Sequence, residues 1–173
     1  PMADPGFRLP VQDTPCPVPP EQRPLEEYGQ MLRSWFFAWP AGGSLPLIRS
    51  LVLSWLFVLP LALVVAGGSF TLRHEPLRLA IAAATAAGLL PLLLLSRQWL
   101  GWAYVRKRLV AETVEYEESG WYDGQVWEKP IAWRQQDLLV ARFQVDPVMR
   151  RLRVGAALAA GLLLAGAGLC QAL

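Results

Sequence analysis

The residues best suited to chemistry are carboxylates, with Glu112, Glu115, Glu117, Glu118, Asp123 and Glu128 gathered in one short stretch. Acids at that density can hold a hard cation through oxygen ligands or divide general-acid and general-base roles. Glu115, Glu117, Glu118 and Asp123 are the candidate metal set. Against this, Arg106, Lys107, Arg108 and Lys129 are close enough in sequence to pair with the acids, and no histidine or cysteine is at hand to complete a zinc or non-haem iron site. A phosphate loop, a dinucleotide fingerprint and a hydrolase elbow are all missing. We therefore expect no catalytic residue, no resident metal and no cofactor.

The acids belong to the chain's one dense polar-aromatic block, Glu115 to Pro130, which reads as a β-hairpin. Asp123-Gly124 suits a two-residue turn with positive φ at both positions. That turn would set Tyr122 opposite Gln125, Trp121 opposite Val126, and Glu118 opposite Lys129 as a cross-strand ion pair. The rings of Trp121, Tyr122, Trp127 and Trp133 then either bury against the chain's own Trp99–Val105 helix or anchor a partner.

What positions this block is a membrane-like scaffold. Of the 173 residues, 54% are hydrophobic, high for a soluble domain. They gather into the runs 51–68, 77–95 and 154–172, each able to cross a hydrocarbon core of about 30 Å. The fold class is an all-α membrane protein with three transmembrane helices, carrying an amphipathic interfacial helix and a small β-hairpin on one face.

In chain order, residues 1–24 form an extended arm, with seven prolines before Pro24, since proline bars helix here and favours polyproline II. Residues 25–40 form the interfacial helix. Leu25, Tyr28, Leu32, Trp35, Phe36 and Trp39 recur at helical spacing, and the rings suit headgroup depth. The first span is 45–68, with Ser44 as N-cap and Pro60 as a kink. The second, 77–95, continues as a helix to about 112, and Gly101 is a place for it to bend. The hairpin occupies 113–130, a short helix 131–144, and the third span 147–172, with Asp146-Pro147 as its start. The small residues Ala80, Ala84 and Gly88 of the second span and Ala157, Gly161 and Ala165 of the third predict close packing through those ridges. Alternatively, one ridge faces another chain.

Fourteen of the sixteen Lys and Arg residues fall on the side of the arm and hairpin, and only Arg73 and Arg78 on the other. The positive-inside rule makes the first side cytoplasmic, or stromal in a plastid. The lone His74, in the short opposite loop, reads as a solvated residue. The spans hold no histidine and almost no ionisable group, which argues against haem or chlorophyll ligation and against a proton path inside the bilayer. A net charge of +2, with no basic patch interleaved with aromatics, argues against nucleic acid. The two cysteines, Cys16 and Cys170, are too few for a disulfide scaffold, and we read them as plain thiols.

Four motifs in order carry a resemblance. Cys16-Pro-Val-Pro-Pro-Glu-Gln-Arg-Pro24, Ser34-Trp-Phe-Phe-Ala-Trp-Pro40, Leu100-Gly-Trp with Tyr104-Val-Arg-Lys-Arg-Leu109, and Tyr116-Glu-Glu-Ser-Gly-Trp-Tyr-Asp-Gly-Gln-Val-Trp127 together resemble the family named "conserved in the green lineage and diatoms". It occurs in cyanobacteria and plastids, where some algal plastid genomes encode it as a hypothetical chloroplast reading frame. The resemblance spans Cys16 to Leu152. It implies a thylakoid or other plastid-type membrane and, from plant members, an association with iron nutrition. It supplies no activity and no catalytic residues. The expected partners are the lipid bilayer and a membrane protein, either a photosynthetic complex subunit or an assembly factor, docked by Trp35, Trp121, Tyr122 and Trp127. Two other readings remain open: an iron- or cation-linked binding or redox accessory, and a membrane-bound enzyme on a lipid or pigment precursor.

Overall fold

A computed structural model describes residues 16–117 and 124–173, with the side chains of residues 70 and 71 excepted. Its elements are a 3-10 turn (Pro20–Gln22), which corrects the expectation that the whole arm is extended, then α1 (Pro24–Arg33), α2 (Ser44–Gly67), a single turn α3 (Phe70–Arg73), α4 (Pro76–Ala87), α5 (Leu89–Val110), β1 (Thr113–Tyr116), β2 (Gln125–Glu128), α6 (Ile131–Val140), a π-helical turn (Ala141–Val145) and α7 (Asp146–Ala172). Among the described residues, three continuous helices are long and apolar enough to cross a membrane: Ser44–Gly67, Pro76–Val110 and Ile131–Ala172, of 24, 35 and 42 residues. At 1.5 Å per residue the second and third reach about 52 and about 63 Å, well beyond a hydrocarbon core of about 30 Å. Their prolongations carry everything else.

The second helix runs on to Val110 as expected, with only the weak break at Gly88 between α4 and α5. Gly101 does not bend it. A Cβ there would sit 2.5 Å from Phe37 Cε1, so this glycine is a close-approach site for a ring. The third helix corrects the expected start at Asp146-Pro147. Residues 131–172 form one helix, and Asp146 is itself helical, its N–H bonding to the carbonyl of Ala141 five residues back. Pro147 cannot donate to the carbonyl of Phe143, and a widened π turn accommodates that missing bond without ending the helix.

At the first span the N-cap is Gly43, with φ 121°, rather than Ser44. The interfacial helix is also shorter than 25–40. It begins at Pro24 but ends at Arg33, because Ser34 is extended and its hydroxyl accepts the Phe37 N–H at 3.4 Å, a local bond that competes with helix. Trp35 to Gly42 then form turns.

The hairpin exists but in another register. Val114 pairs with Trp127, Glu115 with Val126 and Tyr116 with Gln125, while the Lys129 N–H donates to the Glu112 carbonyl at 3.1 Å. Gln125 is therefore opposite Tyr116 and not Tyr122, so the pairing that a two-residue Asp123-Gly124 turn requires is not made. Asp123 itself lies outside the described residues. Burial explains the register. Val114 and Tyr116 are buried against Val18 of the arm, with Trp127 packed beside them, and this outweighs local turn chemistry.

Two packed clusters result. The larger joins Leu47 of α2, Leu95, Trp102, Val105 and Leu109 of α5, and Ala141 to Leu152 of the third helix. The smaller pins the described end of the proline arm to the hairpin.

Among the apolar helices, α4 packs on α2 and, as expected, on α7, and Gly88 of the expected ridge takes part, but most of the other ridge residues do not. Ala83 and Ala87 are fully buried, whereas Ala80, Ala157, Gly161 and Ala165 are exposed. The close approaches are Gly88 against Leu163 and Gly166 against Thr85. The ridge positions were offset by about one residue, roughly 100° of helix rotation.

Candidate functional site

The acids do not converge. Among the described residues no three of His, Cys, Asp and Glu are grouped so that they could hold a metal ion. Glu115 and Glu117 sit at alternate exposed positions along and just beyond β1, so they share a face. Glu128 pairs with Arg134 at 2.5 Å. Glu118 and Asp123 lie outside the described residues, as do Trp121 and Tyr122.

What the prolonged helices carry instead is a module held by buried polar hubs. Lys129, with its side chain fully enclosed, pairs with Asp137 at 2.7 Å and donates to the carbonyls of Arg108 and Leu109 at 2.9 and 3.3 Å. It thereby satisfies the last turn of α5, whose carbonyls have no intrahelical donor, and ties the end of β2 to α6. Arg108 is the second hub. Its guanidinium lies 2.8 Å from Glu27 of α1, though not in hydrogen-bonding alignment, and donates to the carbonyls of Gln22 and Glu115 at 2.6 and 3.2 Å. One side chain thus joins arm, α1 and hairpin. The Glu27 carboxyl is raised above its ordinary value by burial, which outweighs the opposing pull of Arg108. Gln22 completes the joint, bonding both the N–H and the carbonyl of Glu117 at 2.8 and 3.1 Å. A polar cleft of about 260 Å³ opens here, lined by Gln22, Glu27, Tyr104, Arg108, Glu115 and Glu117 among others.

The aromatic turn is a third joint. Gln98 and Trp102 of α5 donate to the carbonyls of Phe36 and Phe37 at 2.9 and 3.2 Å, and Arg151 donates to that of Pro40 at 2.7 Å. Three carbonyls in the turn Trp35 to Pro40 are therefore satisfied by side chains of the prolonged helices, which fixes the turn's shape. Phe36 and Trp39 pack edge to face at 5.0 Å. Trp35 stands on Trp39 at 5.5 Å and is 81% exposed.

Of the docking residues read from sequence, Trp35 is presented outward and Trp127 is half-buried. Trp127 packs edge to face on Trp133 at 5.3 Å, so it leans on α6 and not on the Trp99–Val105 segment. The hubs Lys129, Asp137 and Gln98 were missed. The signal for Gln98 was available, as a polar residue on the apolar face shared by Leu95 and Trp102. Nothing local marks Lys129 as buried, because its partners are a helix end and a residue on another helix.

A second cleft of about 470 Å³ lies between α1 and α5, lined by Gln30, Met31, Ser34, Phe37, Arg97 and Tyr104 among others.

With that geometry in place, comparison with known proteins is informative. The family model described as "CGLD27-like: Conserved in the green lineage and diatoms 27" matches residues 16–158. The chain is 37% identical over 147 residues to the uncharacterized protein ycf36 of Pyropia yezoensis, covering 83% of this chain and 87% of that protein. It is 37% identical over 138 residues to the ycf36 protein of Cyanophora paradoxa, covering 80% and 87%. It is also 39% identical over 137 residues to the chloroplastic protein Conserved in the green lineage and diatoms 27 of Arabidopsis thaliana, covering 79% of this chain and 42% of that one. No solved structure matches.

Proposed function

The chain belongs to the "Conserved in the green lineage and diatoms 27"-like family, and from that premise we propose that it is a multi-pass accessory protein of a photosynthetic membrane. In this reading it performs no chemistry of its own and docks a membrane-protein partner, a photosynthetic complex subunit or assembly factor. The docking surface is the cytoplasmic or stromal face. Relatives named as chloroplastic or ycf36 proteins support the setting. The three apolar helices support insertion, and the Lys and Arg asymmetry supports the orientation.

One observation carries the docking reading. The polar module is cross-braced at three joints, yet it presents Trp35 at 81% exposure on a turn whose backbone is fixed by α5 and α7. A pre-shaped, exposed tryptophan loses little conformational freedom on binding and is a common interface anchor. Trp121 and Tyr122, which lie outside the described residues, extend the same proposal from sequence alone.

The test is purification of the tagged protein from its native membrane in mild detergent, comparing wild type with Trp35→Ala and with the Trp121→Ala/Tyr122→Ala pair. We expect the variants to stay in the membrane fraction and to lose a stoichiometric partner. Unchanged co-purification in both would remove the docking role from these residues.

A further inference from the structure

The cleft between α1 and α5 is not used by the docking reading, and its chemistry is distinct. It is lined by apolar groups (Met31, Phe37, Leu100 and Val105), by polar ones (Gln30 and Ser34) and by the guanidinium of Arg97. Arg97 lies over the Phe37 ring at 5.2 Å, and among the described residues no carboxylate pairs with it. Glu27, the one carboxylate lining the cleft, is already engaged by Arg108 at 2.8 Å. A guanidinium stacked on a ring keeps its planar edge of donors free, and that edge suits a bidentate oxyanion.

The position of Arg97 narrows the ligand. Leu89, Leu93, Arg97, Leu100 and Tyr104 fall three or four residues apart, so they form one stripe of the helix surface. All are exposed, Leu93 by 65% and Leu89 by 54%. The stripe is apolar up to Leu93 and turns cationic at Arg97, two residues after the apolar run closes at Leu95. Beyond Arg97 it enters the cleft. The surface thus offers a track for hydrocarbon, then a cation, then a space with hydrogen-bonding groups.

We propose that this stripe and cleft hold one anionic lipid of the leaflet on the Lys- and Arg-rich side of the protein. Its chains lie along Leu89 and Leu93, its charged group meets Arg97, and its polar head enters the cleft beside Gln30 and Ser34. The site rests on the membrane-spanning reading given above. A single basic group at the membrane surface favours an anionic lipid by about fivefold.

The full chain in mild detergent is titrated, with native mass spectrometry as the readout, against phosphatidylglycerol and phosphatidylcholine of identical chains. Soluble glycerol 1-phosphate serves as competitor. We expect wild type to prefer phosphatidylglycerol about fivefold or more, Arg97→Gln to bring the two lipids within about twofold, and Arg97→Lys to keep part of the preference. Arg142→Gln, which removes an exposed cation on the π turn, should leave the preference intact, and equal melting temperatures confirm that the variants are folded. No preference in wild type, or equal loss with Arg142→Gln, overturns the site. Competition by glycerol phosphate at concentrations matching the lipid assigns the cleft to a soluble anion and overturns the lipid source. Release of wild type from liposomes by alkaline carbonate is a separate result, one that defeats the membrane-spanning reading itself.

Discussion

The span region and the module above it are built on opposite principles. Between α4 and α7 the contacts are small residues meeting small or apolar ones, Gly166 at Thr85 and Gly88 at Leu163. On the membrane-spanning reading proposed above, such packing depends on close backbone approach, since lipid tails offer no hydrophobic incentive for helices to associate. In the module, by contrast, three polar side chains (Lys129, Arg108 and Gln98) reach between elements and satisfy backbone carbonyls. The spans are sensitive to volume and the module to partners. A change of one methyl should matter in the first, and removal of one charge in the second.

The sharpest way to break the module is Lys129→Met. The long apolar replacement fills similar space but leaves Asp137 buried without its cation and two α5 carbonyls without a donor. Removing one partner of a buried pair costs about 3–5 kcal/mol. We expect the hairpin and α6 to become protease-sensitive while the chain remains carbonate-resistant in membranes. If the hairpin stays as protected as in wild type, Lys129 is not a hub. The double change Lys129→Met/Asp137→Leu should recover much of the loss, because no buried charge is then left unpaired.

The spans are tested by a matched pair of substitutions. A Cβ on Gly166 collides with Thr85, whereas one on Gly161 meets nothing within 4 Å. Gly166→Val should therefore destabilise by about 1–3 kcal/mol, as overpacking does, read as a lower detergent-denaturation midpoint. Gly161→Val should leave that midpoint unchanged. Equal effects would restore the ridge first expected from sequence, or place a partner chain on Gly161.

This pair also marks where the sequence stopped being legible. Apolar run length found the three long apolar helices and placed the start of the second and the ends of the first and third to within a residue, because a length able to cross a bilayer shows in composition, but it gave no sign that the third begins as early as Ile131. Which face of each span packs was not recoverable, since small residues at four-residue spacing occur on two adjacent stripes of α7 and only the contacts choose between them. The hairpin shows the same division. Aromatic and β-branched residues near Asp123-Gly124 announced strands, but the register followed Val18, nearly a hundred positions away in sequence from Val114. Asp146-Pro147 misled because the pair that reads as a helix start can equally follow a π turn inside a continuous helix, as it does after Ala141–Val145, and only the chain on both sides distinguishes the two. The acids were legible as a cluster in sequence and not as a site. Alternation leaves Glu115 and Glu117 together on one face, but Glu128 is paired with Arg134, and among the described residues no third ligand joins them.

The smallest expected effect sharpens the module's polar character further. Burial raises the Glu27 carboxyl above its ordinary 4.5. Between pH 4.5 and that raised value, the folded chain holds a proton that the unfolded chain has already released. The Glu27 contribution to stability is therefore full below pH 4.5 and is lost as pH rises through the folded value. Glu27→Gln removes this titration but keeps the shape and leaves Arg108 its two carbonyl acceptors. Urea midpoints of the detergent-solubilised protein, followed by tryptophan fluorescence from pH 4 to 7, should fall less with pH in Glu27→Gln than in wild type. An identical slope would mean that Arg108 holds Glu27 ionised throughout. The joint between α1 and α5 would then be a plain ion pair, and burial would not govern it.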